Sequence, residues 1–224
     1  MPGPEAICTE RPHERLLARG AAALTDTELL AVALRTGATG RPALSAARAL
    51  LGHFGGTAAL LAASAREIGA LPAAGPVRAA RLKAVVELVR RALLEEAARG
   101  DALASPEAVR DYLRLTLSPL PYEAFVALFV DSQNRLLVAQ ELFRGTLAQT
   151  SVYPREVVKS ALAHNAAGAI FAHNHPSGMA EPSRADELLT TSLKQALALV
   201  DVRTLDHFVV AGPRVVSFAE RGLL

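Results

Sequence analysis

The chain has 224 residues, 51% apolar and 21% charged, with a formal net charge of +2, which makes it globular with room for one large domain or two small ones. Its only cysteine, Cys8, excludes an internal disulfide and a cysteine-built zinc site, and fits a reducing, cytoplasmic setting. The apolar stretch at 58–63 is far short of the ~20 residues of a membrane span, and residues 1–10 lack a basic start followed by an apolar segment, so neither membrane nor export is expected.

The first hundred residues read as short helices. Thr25 followed by Glu28, and Ser64 followed by Glu67, have the spacing at which a capping hydroxyl and a reciprocal acid satisfy the free N–H groups of a helix start. Between them an alanine-rich helix over Ser45 to Leu51 is expected to end at Gly52, with a flexible break at Gly55-Gly56. No strand-like alternation occurs in this half. Its longest helix is predicted from Pro76 to about Arg99, since proline suits a first helical turn and Leu82, Val85, Val86, Val89 and Leu93 recur on one face.

The segment from Leu71 to Pro76 resembles the turn of a helix-hairpin-helix element, which offers backbone N–H groups to a nucleic-acid phosphate. Many such turns carry two glycines. Here Ala73 stands at the first position, leaving Gly75, with Arg78 close by, as the candidate DNA contacts, and plain helix packing is the better account of the segment. Residues 1–100 carry 13 Lys+Arg against 9 Asp+Glu, whereas residues 101–224 carry 11 against 13. The first half is the basic one, which permits phosphate contacts but also suits a solvated helical surface.

The composition changes at Gly100-Asp101, which divides the chain into a helical domain, 1–100, and a second domain, 101–224. Ser105-Pro106 starts a helix that should end before Ser118-Pro119. Strands and helices then alternate: strands over Phe125 to Val130 and Leu136 to Phe143, a helix from Pro154 to His164, a strand over Ala169 to His175 and a helix from Arg184 to Leu199. Strands over Val202 to Val210 and Val215 to Ser217 follow. There is no internal repeat.

Chemistry concentrates at the end of the third strand. Residues two apart on a strand project to one face, so His173 and His175 can offer imidazole nitrogens to a single ion, and two neutral imidazoles suit zinc. A third protein ligand is needed if one position is to stay open for water. The nearest downstream oxygen is Asp186, in the first turn of the next helix, and Pro176, Gly178 and Pro182 would bend the chain back to bring it in. Ser183 and Asp186 also have the spacing of a helix cap and its reciprocal acid, which accounts for that pair without a metal.

The run His-x-His, seven residues, Ser, two residues, Asp is met in full by His173, His175, Ser183 and Asp186, and it resembles the signature of the JAMM (JAB/MPN-type) metalloproteases. Together with Glu141 to Thr146, Tyr153 to Glu156, Pro182-Ser183 and Asp206 to Phe208, the chain resembles the bacterial RadC family over nearly its whole length. That resemblance implies an α/β domain with a JAMM/MPN-type (cytidine-deaminase-like) mixed sheet and flanking helices, preceded by an all-α helix-hairpin-helix-like domain. It implies one zinc per chain held by His173, His175 and Asp186, with water in the fourth position.

A glutamate upstream would act as general base. Glu141 is the best match, because a carboxylate among Leu137, Ala139 and Phe143 needs a partner, with Glu156 and Glu123 as fallbacks. Ser183 would donate to the oxyanion. Asn174 and Ser177 would shape the loop, and Asp206-His207 would be a hydrogen-bonded pair or a support for the ligands. The activity implied is amide cleavage in a protein or peptide substrate. A nucleic-acid-associated role through the helical domain is the second reading, and a metal-free scaffold, disfavoured by the intact ligand set, the third.

Overall fold

The computed structural model of the chain describes residues 11–34, 41–99, 106–145 and 152–224. Cys8, the composition change at Gly100-Asp101, the Ser105 cap and Thr146 lie outside them. The chain divides into two compact units, Met1–Leu88 and Val89–Leu224.

The first unit is helical over its described residues: α1 Pro12–Arg19, α2 Asp26–Leu34, α3 Arg41–Phe54, α4 Thr57–Ala62, α5 Ala65–Ala70, and α6, Gly75–Arg99, as far as Leu88. Both expected starts form. Glu28 N–H donates to Thr25 Oγ1 at 3.4 Å and Glu67 N–H to Ser64 Oγ at 3.2 Å, and each glutamate accepts the N–H of its capping residue in return. α3 runs through Gly52, where the sequence suggested a stop. The break falls at Gly55 and Gly56, where it was expected, with φ of +77° and +146°, and the helix continues to it because the backbone at Gly52 does not leave the helical region. Leu34, Leu50, Leu60, Ile68 and Leu82 form the core of this unit. Val85 and Val89, expected on the apolar face of α6, are exposed.

The division between units lies inside α6, whereas the sequence placed a boundary near Gly100. A continuous backbone ladder can serve two cores: Ala79 and Leu82 pack in the first, and Leu93 and Leu94 in the second.

The second unit contains α7 Pro106–Leu117, β1 Ala124–Val130, β2 Leu136–Arg144, α8 Pro154–Ala163, β3 Gly168–Asn174, α9 Arg184–Ala198, β4 Arg203–Ala211 and β5 Arg214–Ser217. The strands form one mixed five-stranded sheet in the order β2-β1-β3-β4-β5, in which only β3 and β4 are parallel neighbours. Parallel neighbours need a crossover, and α9 supplies it. β1 and β3 are buried along their whole length, as strands covered on both faces are; β1 is apolar throughout, whereas β3 ends in the buried polar pair His173 and Asn174.

The two faces have separate cores. Val126, Leu128, Ile170, Ala172, Phe208 and Val210 meet α7 on one face. Phe125, Phe129 and Phe171 meet α8 and α9 on the other, through Val157, Ala161, Leu193 and Leu197.

Candidate metal centre

β3 ends at Asn174, and His175 still donates its N–H to Val210 O at 2.8 Å, so the strand geometry carries one residue further. His173 pairs with Phe125 across β1 and stacks on its ring, which fixes the histidine on the face covered by α8 and α9. The chain then turns through Pro176 to Pro182 and enters α9. Ser183 caps this helix: its Oγ accepts from Asp186 N at 3.2 Å and donates to Asp186 Oδ2 at 2.7 Å, and its own N–H donates to the same oxygen at 2.7 Å. The cap therefore aims Asp186 back at the end of β3.

His173, His175 and Asp186 converge, and among the described residues they are a group that could hold a metal ion. The two Nε2 atoms are 3.0 Å apart, His173 Nε2 is 3.3 Å from Asp186 Oδ1, and His175 Nε2 is 3.6 Å from Asp186 Oδ2. Tetrahedral zinc with bonds of about 2.0–2.1 Å would place its ligand atoms roughly 3.3–3.4 Å apart. The three separations bracket that value.

The far nitrogens explain the orientation of the rings. His175 Nδ1 lies 2.7 Å from Met179 O, which can only accept, so Nδ1 carries the hydrogen and Nε2 faces inward. His173 Nδ1 is 2.9 Å from His207 Nε2. Two inward imidazole nitrogens beside a carboxylate require a cation or a shared proton between them, and the donor set fits zinc.

The electrostatics agree. Burial pushes the Asp186 carboxyl up, but the adjacent rings of His173 and His175 outweigh it and hold the group well below the usual carboxylate range. His175 is raised above its ordinary value by its hydrogen bond with Asp186, against burial, with a smaller contribution from the charge of Glu123. His207 is enclosed completely, and burial, reinforced by the charge of His173, lowers it well below the ordinary histidine value.

A cavity of about 710 Å³ opens on this group. Besides the ligands and Ser183 it is lined by Glu123 and by Phe125, Val152, Tyr153, Met179 and Leu189.

Glu141 is not among those residues, which corrects the sequence expectation. A register slip between Phe125 and Val126 breaks the alternation between Glu141 and Phe143, so Phe143 pairs with Phe125 while Glu141 pairs with Val126. Directly paired residues project to the same face of a sheet and successive residues to opposite faces. Glu141 thus lies on the side of Val126, away from His173, and its carboxylate pairs with Arg144 at 2.9 Å. Glu156 is also absent from the cavity lining and pairs with Lys159 at 2.9 Å on α8.

Glu123, two residues before Phe125, shares the parity of that residue and lines the cavity. Asn174, which sequence reasoning assigned to the loop, clamps this approach to β1. Its Oδ1 accepts from Ala124 N at 2.8 Å and its Nδ2 donates to Tyr122 O at 2.9 Å. Ser177 does help to shape the loop, accepting from Met179 N at 3.5 Å.

Asp206 and His207 do not bond through their side chains. The Asp206 carboxylate accepts from His207 N, Ser217 Oγ and Ala219 N at 2.7, 2.6 and 3.0 Å, and so ties β4 to β5 and the turn after it. The His207 ring turns to His173 instead. Thr190 behind it was not anticipated, although its place four residues after Asp186 on the same helix was a readable signal.

The candidate nucleic-acid contacts lie in the first unit. Gly75 has φ of +65° as such a turn allows, but the N–H groups of Ala74 and Gly75 both donate to Leu71 O, at 3.0 and 3.1 Å, and Arg78 Nη1 donates to Ala73 O at 2.8 Å. These donors close the turn upon itself. Among the described residues no helix is long and apolar enough to cross a membrane.

Comparison with known proteins gives two family matches, a RadC-like JAB domain over residues 103–223 and a UPF0758 N-terminal domain over residues 5–80. A UPF0758 protein of Nitrosomonas europaea is 61% identical over 221 residues, covering 99% of this chain and 97% of its own. A UPF0758 protein of Methylibium petroleiphilum is 62% identical over 214 residues, covering 96% of each chain.

Proposed function

This chain belongs to the RadC family, with a RadC-like JAB domain in its C-terminal half, and from that premise we propose that it is a zinc-dependent amide hydrolase, a metallopeptidase or isopeptidase. The observation that carries the reading is the convergence of His173 Nε2, His175 Nε2 and the Asp186 carboxylate within 3.0–3.6 Å, at the mouth of a cavity that also holds a glutamate. Bound there, zinc would supply Lewis acidity to water and to the scissile carbonyl.

The protein's own groups do the rest. Glu123, on the same face as His173, takes a proton from the attacking water and returns it to the departing nitrogen. Ser183 orients Asp186 through its 2.7 Å hydrogen bond, and turning that one proton into the cavity would supply a donor to the developing oxyanion. Phe125, Val152, Tyr153 and Leu189 give the cavity an apolar wall that excludes water and would receive an apolar part of the substrate.

The test is a pair of isosteric variants assayed with zinc-loaded protein on a panel of peptide and isopeptide substrates. Glu123→Gln should keep its zinc and lose activity by about 10²–10⁴-fold, the usual contribution of a positioned general base. Glu141→Gln should behave as wild type. Full activity in Glu123→Gln would remove the assigned base, and zinc-loaded wild type that cleaves no amide in the panel would overturn the hydrolase reading.

A further inference from the structure

The third histidine of the centre, His207, touches a ligand without being one. Its ring is fully enclosed, stacked on Phe218 at 4.8 Å and edge-on to Phe125 and Phe171 at 5.5 and 6.1 Å. Its two nitrogens reach Thr190 Oγ1, at 2.6 Å from Nδ1, and His173 Nδ1, at 2.9 Å from Nε2. Thr190, equally buried, also lies 2.6 Å from Asp186 O, one helical turn earlier in α9.

The direction of these bonds follows from which groups own protons. A peptide carbonyl only accepts, so the single hydroxyl proton of Thr190 goes to Asp186 O. The Thr190 oxygen is left to accept, and His207 must place its hydrogen on Nδ1. Its Nε2 is then a lone pair aimed at His173, which must answer with Nδ1–H. The Nε2 of His173 is left without a hydrogen, facing His175 and Asp186.

We infer that Thr190 and His207 form a proton-ordered relay that fixes the tautomer of His173 and so positions its Nε2 as a metal ligand. The inference rests on the metal-site reading above and adds positioning residues to it. The relay starts at the backbone of one ligand, Asp186, and ends on the ring of another, so α9, β4 and β3 are joined behind the centre by bonds that also set its donor state.

Thr190→Val keeps the shape of the side chain and removes the acceptor. A buried Nδ1–H on His207 would then have no partner, which is unfavourable, whereas a hydrogen on Nε2 can donate to His173 Nδ1. That exchange drives the hydrogen of His173 to Nε2, where it blocks the ligand position. Thr190→Ser retains a hydroxyl and should restore the original order.

The deciding experiment reads ring tautomers by nitrogen NMR in metal-free wild type, Thr190→Val and Thr190→Ser, and zinc affinity of the same proteins by competition with a chelating dye. Expected are Nδ1–H on His207 and His173 in wild type and Thr190→Ser, and Nε2–H on His207 in Thr190→Val, with zinc affinity of the valine variant weakened about 10- to 100-fold. A purely packing role for Thr190 would change thermal stability without exchanging tautomers. Wild-type tautomers and wild-type zinc affinity in Thr190→Val would overturn the relay. Wild type that takes up no zinc would overturn the metal reading, and the tautomers of the metal-free protein would still decide the relay.

Discussion

Each of the two candidate ligand histidines has one nitrogen turned outward to a protein partner and one turned inward, so the freedom left at the centre is what sits between the inward atoms, a proton or a metal ion. In the metal-free protein Asp186 holds His175 above its ordinary value of 6.5, against burial. A raised value means that the folded chain keeps this proton to higher pH than the unfolded chain. Its contribution to metal-free stability is therefore complete below about pH 6.5 and is lost as the pH rises through the raised value. A zinc ion held there would displace the same proton, so apparent zinc affinity should fall as the pH is lowered through that raised value, starting above 6.5. Calorimetric titration checks this, and an affinity constant from about pH 8 to about pH 6 would contradict it. Gly168, at the start of β3, is limited by space: a Cβ there would meet Val130 Cγ2 at 3.0 Å and Leu205 Cδ1 at 3.2 Å. Gly168→Ala should destabilise the second unit by about 1–3 kcal/mol, measured by denaturant unfolding.

α5 and α9 both begin with a serine capping box, and only that of α9 includes a candidate metal ligand. Ser64 Oγ accepts from Glu67 N and Ser183 Oγ from Asp186 N, both at 3.2 Å. Ser64→Ala and Ser183→Ala should each cost about 0.5–2 kcal/mol of stability, as loss of a capping hydroxyl does. Only Ser183→Ala should also weaken zinc binding, because the lost hydroxyl is the one that holds Asp186 Oδ2. Equal zinc affinity in the two variants would mean that Asp186 is aimed by the helix alone. The strands show the opposite behaviour to the helix starts. Both caps were legible because four consecutive residues contain the whole interaction. The face of Glu141 was not, because register slips between β1 and β2 decide it and both partners must be present to see them.

All three metal-ligand candidates lie in the unit Val89–Leu224, and so do all three tyrosines, Tyr112, Tyr122 and Tyr153. A metal that binds only the folded state stabilises it, by about 2.7 kcal/mol at a hundredfold excess over its dissociation constant. Near-ultraviolet circular dichroism of tyrosine therefore reports the unit that zinc should stabilise, whereas the far-ultraviolet signal includes the helices of both. Removing zinc with a chelator should lower the tyrosine transition temperature, and zinc added back should restore it. An unchanged tyrosine transition, with zinc stoichiometrically bound, would place the metal elsewhere.

Family membership, the α/β class of the second unit and the identity of His173, His175 and Asp186 as a candidate ligand set were determined by the sequence. Each rests on short spacing: His-x-His on one strand, a capping serine three residues before its acid, and apolar runs whose period is local. The general-base candidate and the support behind His173 were decided by the tertiary structure. Glu123 enters through its parity with Phe125 on β1, while His207 on β4 meets His173 and Thr190 on α9 meets His207, on elements that only the sheet order β1-β3-β4 brings to one face. The direction of a hydrogen bond between buried rings depends on the last donor in the chain, here a threonine hydroxyl committed to a helix carbonyl, and spacing along one strand carries no trace of it.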